Sequence, residues 1–597
     1  MPVKTNLLIK GGGFLLESPS LEVVFTPEDF TEEQRMIADT ATRFMETEVV
    51  PRIGEMESKK EGINEELMKR AAELGLVSAG IPQAYGGEGM DQISVTIITE
   101  KSGRYGSFAT TFSAHTGIGI LPLVYFGTDA QKQKYLPKLA TAEWIAAYAL
   151  TEAEAGSDAL NARTTAVLSS DGTYYLLNGT KCWITNAGFA NLFVTFAKVD
   201  GDKFSCFLIE REFPGVSTGQ EEHKMGIQGS STRTLLLENA RIPRENLLGE
   251  IGQGHKIAFR ILNIGRFKLG ASVLAAIRWA ENEAIQYAKQ RIQFGKPIIS
   301  FGAIQHKLSE MAVKVYCAES MVYRTAGMID GALQYLEQEN LITPADALKM
   351  IEEFAVECSI IKVATTEILD FVVDEGVQIF GGNGYSQEYP IERAYRDARI
   401  NRIFEGTNEV NRLLITGQLL KRAMKGQLGL FPAAQKLVDE ILSSPSLGED
   451  SDGPLIQEEQ MVRRAKKMFL LALGVAAQKY REKISDEQEI LCLMSDLVIE
   501  IYAMESVLLR VMKGVERDGV SKWQLPIMAA KICIHGKFLQ LENLVKPILA
   551  AVSVGDELKI QLMALRRFTK SVPIDLIALR REIAQALNSA GKYCLSN

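Results

Sequence analysis

Glu405 stands in Phe404-Glu405-Gly406-Thr407, a carboxylate next to a glycine. So placed it can project into a cleft and work as a base, or it can be a solvated residue at a helix start. Upstream, Gln378-Ile379-Phe380-Gly381-Gly382-Asn383-Gly384-Tyr385 clusters glycines whose missing Cβ atoms let backbone amides approach a phosphate, or simply allow a tight turn. The spacing does not fit the dinucleotide fingerprint. A third block, Tyr148-Ala149-Leu150-Thr151-Glu152-Ala153-Glu154-Ala155-Gly156-Ser157-Asp158, offers the hydroxyls of Thr151 and Ser157, which read alone are caps or turn donors. Lys181-Cys182-Trp183-Ile184-Thr185-Asn186-Ala187-Gly188 carries an aromatic and a hydroxyl that are ordinary in a strand. Arg291-Ile292-Gln293-Phe294-Gly295 pairs a guanidinium with an aromatic, suited to a phosphate or to an interface.

These residues need elements to hold them. The 597 residues, at about 150 per domain, suggest about four units. With 46% hydrophobic and 23% charged residues, bulk disorder is excluded. Thr31 and Gln34 form a capping box ahead of a helix whose apolar face runs through Met36, Ile37, Ala41 and Phe44, opening a helical unit over 27–147. From 148 to 254 the pattern becomes that of short strands: Tyr174–Leu177, Leu192–Phe196, Phe204–Ile209 and Thr234–Leu237. Asp171-Gly172, Asn178-Gly179 and Asp200-Gly201 supply turn chemistry. Helical periodicity returns over 255–430, in His255–Ala288, Gln305–Ala326, Ala345–Val373 and Asn408–Met424. Ser443–Pro454 reads as a linker before another mainly helical region that ends near Asn597, the C-terminal extension being placed at 431–597.

A net charge of -8 argues against nucleic acid as a partner. The seven cysteines are scattered, with no spacing that suits a structural zinc, so no metal is expected and the thiols read as core residues in a reducing compartment. The N-terminus carries no recognisable secretory signal and the longest apolar run, Met468–Ala477, is about half a membrane span, so a cytoplasmic location is expected. That run follows Arg463, Arg464, Lys466 and Lys467, an order compatible with peripheral contact to an anionic membrane or with helix packing between domains.

Taken in order, these blocks resemble the acyl-CoA dehydrogenase family, over nearly the whole of residues 30–425. The resemblance implies an α+β fold, with an N-terminal helical domain, a middle β domain and a helical bundle domain. It implies FAD as cofactor, an acyl-CoA substrate and a homodimer. Glu405 matches the catalytic base of the family's Tyr/Phe-Glu-Gly-Thr motif. The other position from which the family's base can enter corresponds to Gly265, in Leu262-Asn263-Ile264-Gly265-Arg266, which has no side chain. By the same resemblance Tyr148, Leu150, Thr151, Trp183, Thr185, Thr407 and Glu409 lie at the flavin. Arg291, Phe294, Gln378 and Gly382 reach the adenine and pyrophosphate across a subunit boundary. Ser157, Asn263 and Arg266 face the substrate, the last two also readable as closing a helix interface. Two departures stand out: Ala153 replaces the family's usual proline, and Gly302 stands where several relatives have a polar side chain.

The implied reaction removes a proton from Cα to Glu405 and a hydride from Cβ to the flavin, with the thioester oxygen polarised by the Glu405 N–H and a flavin hydroxyl. Burial would raise the Glu405 pKa toward useful base strength. The product is a trans-2-enoyl-CoA, as in β-oxidation, and the family's electron acceptor is electron-transferring flavoprotein. An acyl-CoA oxidase and a catalytically weak scaffold protein of the same fold are the competing readings. The region after about residue 430, including Ile501-Tyr502-Ala503-Met504, resembles the extra helical region of very-long-chain acyl-CoA dehydrogenases and favours long acyl chains.

Overall fold

The computed structural model describes residues 10–338, 343–442 and 453–596. Of the segment read as a linker, residues 443–452 lie outside the described residues.

The first helix is Glu32–Phe44, and its start follows from side chains: Thr31 Oγ1 accepts from the Gln34 N–H at 3.1 Å while Gln34 Oε1 accepts from the Thr31 N–H at 3.1 Å. The cap fixes where the helix starts, and Gln34, Ala41 and Phe44 are the residues the helix buries. Met36, expected on the apolar face, is instead 69% exposed. Ile63–Glu73, Gln92–Lys101, Gly106–Ser113, Leu121–Phe126 and Asp129–Ala140 extend the helical layer, with a π-helical turn at Ala114–Gly119.

The middle region folds into strands β1 Ala146–Ala149, β2 Thr165–Leu168, β3 Tyr174–Thr185, β4 Leu192–Val199, β5 Lys203–Glu210, β6 Val216–Thr218, β7 Thr232–Pro243 and β8 Leu247–Leu248. Their order is β6-β7-β3-β2-β4-β5-β8, and β1 runs parallel to β4 with Tyr148 opposite Val194. Asp200-Gly201 makes the turn between β4 and β5, with positive φ at both residues. The expected turn at Asn178-Gly179 is not one. These residues sit inside β3, where the register against β7 shifts, and Asn178 Oδ1 accepts from the Asn239 N–H at 2.8 Å. A sequence able to turn has been used as a bulge, which keeps one long strand in place of two.

Long helices then return: Gly254–Gln290, Gly302–Gln338, Ala355–Phe380 and Asn408–Met424. The periodic stretch expected over 345–373 divides into Pro344–Glu353 and Ala355–Phe380, broken at Phe354. A further layer comprises Ile456–Tyr480, Gln488–Asp518, Gln524–Val552, Gly555–Phe568 and Leu576–Ala590. It docks through buried pairs as well as apolar contacts. Arg324 Nη2 meets Glu505 Oε2 at 2.7 Å with both side chains enclosed, and Tyr502 shares a 2.7 Å hydrogen bond with Thr325. The Met468–Ala477 run is used the same way. Met468, Phe469, Ala472, Leu473 and Ala476 are buried, and Lys466 is drawn in to Glu505 and Ser18. Helix packing accounts for that apolar run, and its residues are not a face left for a membrane. No helix among the described residues is long and apolar enough to cross one.

Candidate active site

A cavity of about 320 Å³ lies between the first helical layer and the helices Gly254–Gln290 and Ala355–Phe380, with Glu405, Gly265 and Thr185 in its wall. It follows Gly254–Gln290 through Leu269, Ser272, Ala276 and Trp279 to Glu283. The step from Gly265 to Glu283 corresponds to about 27 Å of helix at 1.5 Å per residue. Small residues on the facing segment, Gly106, Ala109, Ala114 and Gly117, keep the space open.

Glu405 enters this cavity from a strained turn. Its φ is +57° and that of Gly406 is +80°, the left-handed region that disfavours a side chain at Glu405. The turn is held by its carbonyls. Asn411 Nδ2 donates to the oxygens of Gly406 at 2.9 Å and Thr407 at 3.0 Å, Lys362 Nζ donates to Gly406 O at 2.8 Å, and Arg266 Nε donates to Glu405 O at 3.3 Å. Thr407 caps the following helix, its Oγ1 accepting from the Val410 N–H at 3.3 Å.

The Glu405 side chain is arranged differently from its backbone. Oε2 is closed off from solvent and has no hydrogen-bond partner. Burial is the largest influence on this carboxyl and lifts its pKa to about 7, against the opposing charges of Arg266 and Lys362. Lys362 is itself pushed down to about 7 by burial, with Glu405 resisting. Gly265 leaves the room this carboxyl needs, since a Cβ there would stand 2.6 Å from Glu405 Oε2.

The other residues singled out by sequence fall into two groups. Near the cavity, Asn263 Oδ1 accepts from Arg266 Nη1 at 2.8 Å, and both residues are buried. Thr185 lines the cavity at the end of β3. Just before it, Trp183 has φ +60° at a register shift in the ladder, and its ring is 60% exposed. Tyr148 and Leu150 are buried, and the Tyr148 hydroxyl is closed to solvent with no partner. The loop carrying Thr151 is fixed by the Cys182 N–H on Thr151 O at 2.9 Å and by the enclosed Lys181–Glu152 pair at 2.7 Å, while Ser157 at its far end is exposed.

Arg291, Phe294, Gln378, Gly382 and Glu409 are exposed and do not line the cavity. Phe294 sits at the tip of a small hairpin, Ile292–Gln293 against Lys296–Pro297, with φ +50° and a ring 92% exposed. In the glycine cluster only Gly384 has a packing reason, because a Cβ there would lie 2.4 Å from Val377 O. At Gly381 and Gly382 a Cβ would meet nothing within 4 Å. An open glycine turn, exposed aromatics on Trp183 and Phe294, and a hydroxyl at the cavity wall fit the parts of a dinucleotide flavin.

Sequence reasoning missed Lys362, Asn408 and Asn411. An Asn six residues after Glu405, one helical turn inside a capped helix, is a signal for the last of these; Lys362 gives none, being brought in by a different helix.

Comparison with known proteins bears on the arrangement. The N-terminal, middle and C-terminal domain families of acyl-CoA dehydrogenases match residues 31–143, 147–240 and 252–420, and a further acyl-CoA dehydrogenase C-terminal domain family matches 464–567. A probable acyl-CoA dehydrogenase of Bacillus subtilis (strain 168) is 50% identical over 585 residues, covering 98% of each chain. The Homo sapiens mitochondrial very long-chain specific acyl-CoA dehydrogenase is 35% identical over 536 residues, 85% of this chain and 78% of that one. The crystal structure of a Bacillus anthracis acyl-CoA dehydrogenase complexed with FAD is 48% identical, with a TM-score of 0.96 over 98% of this chain and 100% of that one. With the fold, the inward carboxyl and these likenesses together, the chain belongs to the acyl-CoA dehydrogenase family.

Proposed function

We propose that this protein is an FAD-dependent dehydrogenase of long-chain acyl-CoA, producing the trans-2-enoyl-CoA that begins a round of fatty-acid β-oxidation. The observation that carries the proposal is the Glu405 carboxyl. Its Oε2 is buried without a partner against an elongated, largely apolar cavity, and its pKa is near 7. Burial makes the carboxylate a stronger base than one in water, and the unused lone pairs are free for a Cα proton. The Glu405 N–H, at the head of the held turn, is the chain's own donor to the thioester oxygen as charge builds on it. Arg266 and Asn263 stiffen that mouth through their mutual hydrogen bond. Bound FAD supplies the acceptor for the Cβ hydrogen and its electron pair.

The residues proposed for the flavin are Tyr148, Leu150, Thr151, Trp183, Thr185, Thr407 and Glu409, with Arg291, Phe294, Gln378 and Gly382 serving its adenine end. The exposure of that second set supports a homodimer in which one subunit's hairpin completes its partner's site. Cavity length supports a long chain, since residues of Gly254–Gln290 line it from Gly265 to Glu283, with Gly106, Ala109, Ala114 and Gly117 among those on the facing segment. Electron-transferring flavoprotein is the proposed acceptor, on the family resemblance.

The test is purification of the protein as a yellow flavoprotein followed by anaerobic mixing with butanoyl-CoA and hexadecanoyl-CoA. Flavin bleaching that is faster with the longer thioester is expected. Bleaching by neither overturns the activity, and faster bleaching by the shorter one overturns the chain-length assignment. Comparable reoxidation by oxygen and by electron-transferring flavoprotein would favour an oxidase.

A further inference from the structure

A line of polar contacts leaves the Glu405 turn and ends in the C-terminal layer. Lys362 Nζ, which holds Gly406 O at 2.8 Å, also donates to Asn408 Oδ1 at 2.5 Å. The Asn408 amide fixes which of its atoms faces Lys362, because its Nδ2 donates to Glu367 Oε1 at 3.0 Å and to Thr366 Oγ1 at 3.2 Å. Glu367 is gripped at both oxygens by Arg412, Nη1 at 2.8 Å and Nη2 at 3.0 Å. The third guanidinium nitrogen, Nε, donates to Asp496 Oδ1 at 2.7 Å. Asp496 lies on Gln488–Asp518, outside the part of the chain that forms the cavity.

We propose that Asp496 of the C-terminal layer is a positioning residue for Glu405, acting through Arg412, Glu367, Asn408 and Lys362. This deepens the reading of Glu405 as base and rests on it. A forked guanidinium has a fixed plane, so anchoring Nε orients the two nitrogens that hold Glu367. Glu367 in turn orients the Asn408 amide, whose oxygen steers the Lys362 ammonium onto the carbonyl beside the strained Glu405 backbone. The neighbouring contacts reinforce the anchor: Ser495 donates to Arg412 O, and Thr416 Oγ1 meets both Ser495 Oγ, at 2.5 Å, and Leu491 O, at 2.9 Å. The C-terminal layer thereby does more than cover apolar surface, because it fixes the angle at which the base enters the cavity.

The test compares D496N, D496E, E405Q and, as a control, E500Q, each as the FAD-loaded protein. Glu500 is one turn further along the same helix and pairs with Lys537, a residue that is not part of the relay. The expected result for D496N is a fall of about threefold to tenfold in kcat and in the rate of anaerobic flavin reduction, with KM for hexadecanoyl-CoA and the flavin content unchanged. D496E should recover part of the loss, and E500Q should leave kcat as it is. A D496N protein with wild-type kcat overturns the proposal, as does an equal loss in E500Q, which would mark a general loosening of the layer. E405Q separates this failure from that of the underlying reading: an active E405Q sinks the base assignment itself, whereas an inactive E405Q beside a normal D496N sinks only the relay.

Discussion

The half of the site around Glu405 and the half around Phe294 are built to different degrees of completeness. At Glu405 the chain supplies every tether. Carbonyls of three successive residues, 405 to 407, are held by Arg266, Lys362 and Asn411, and the buried carboxyl oxygen Oε2 is left without a partner. Around Phe294 the reverse holds: the aromatic and the glycine turn face outward, Arg291 and Gln378 with them, and all are exposed among the described residues. On the proposed function, the contrast separates a proton-transfer half built by the fold of one chain from a dinucleotide half that a second subunit would complete.

Four changes would break or sharpen this contrast. The largest effect belongs to E405Q, which keeps the shape and removes the base; steady-state turnover with an artificial electron acceptor should drop by about 10²- to 10⁴-fold, with FAD retained. Next is G265A. Its added methyl competes with the carboxyl for the same space, and displacement of Glu405 should slow flavin reduction by about tenfold to a hundredfold while the thermal midpoint hardly moves. F294A attacks the other half. It should leave folding alone and weaken FAD retention by about tenfold, read by flavin loss on dilution and by the oligomeric state in gel filtration; retention unchanged would show that the hairpin serves no flavin. The mildest effect is that of pH. Because burial raises the Glu405 pKa to about 7, the ionised base grows as pH rises through that value, and the rate of flavin reduction should rise by about threefold between about pH 6.5 and 7.5. A rate that falls over this range would contradict the assignment.

The same contrast explains what was readable in the sequence. The Thr31 cap and the Asp200-Gly201 turn are local, a few adjacent residues determining the backbone they adopt, and the Glu405 motif is a contiguous run of residues that can be read in the sequence. Asn178-Gly179 shows the limit of that logic, since the pairing of β3 with β7 overrode a strong local turn signal. Met36 shows it again: helical spacing puts it with Ile37, Ala41 and Phe44, yet in the packed molecule it stays 69% exposed. Lys362 was beyond reach altogether. A lysine in a helical run reads as solvent-facing until another segment folds over it, and here that segment is the loop carrying the base.

The account turns on a proton leaving Cα for the carboxyl at 405. An acyl-CoA with sulfur in place of the Cβ methylene has no hydride to give, so it isolates that step. Incubated in D2O with the FAD-loaded protein and followed by mass spectrometry, it should exchange its Cα hydrogen for deuterium with the wild type and fail to do so with E405Q. Exchange by E405Q at the wild-type rate would contradict the account.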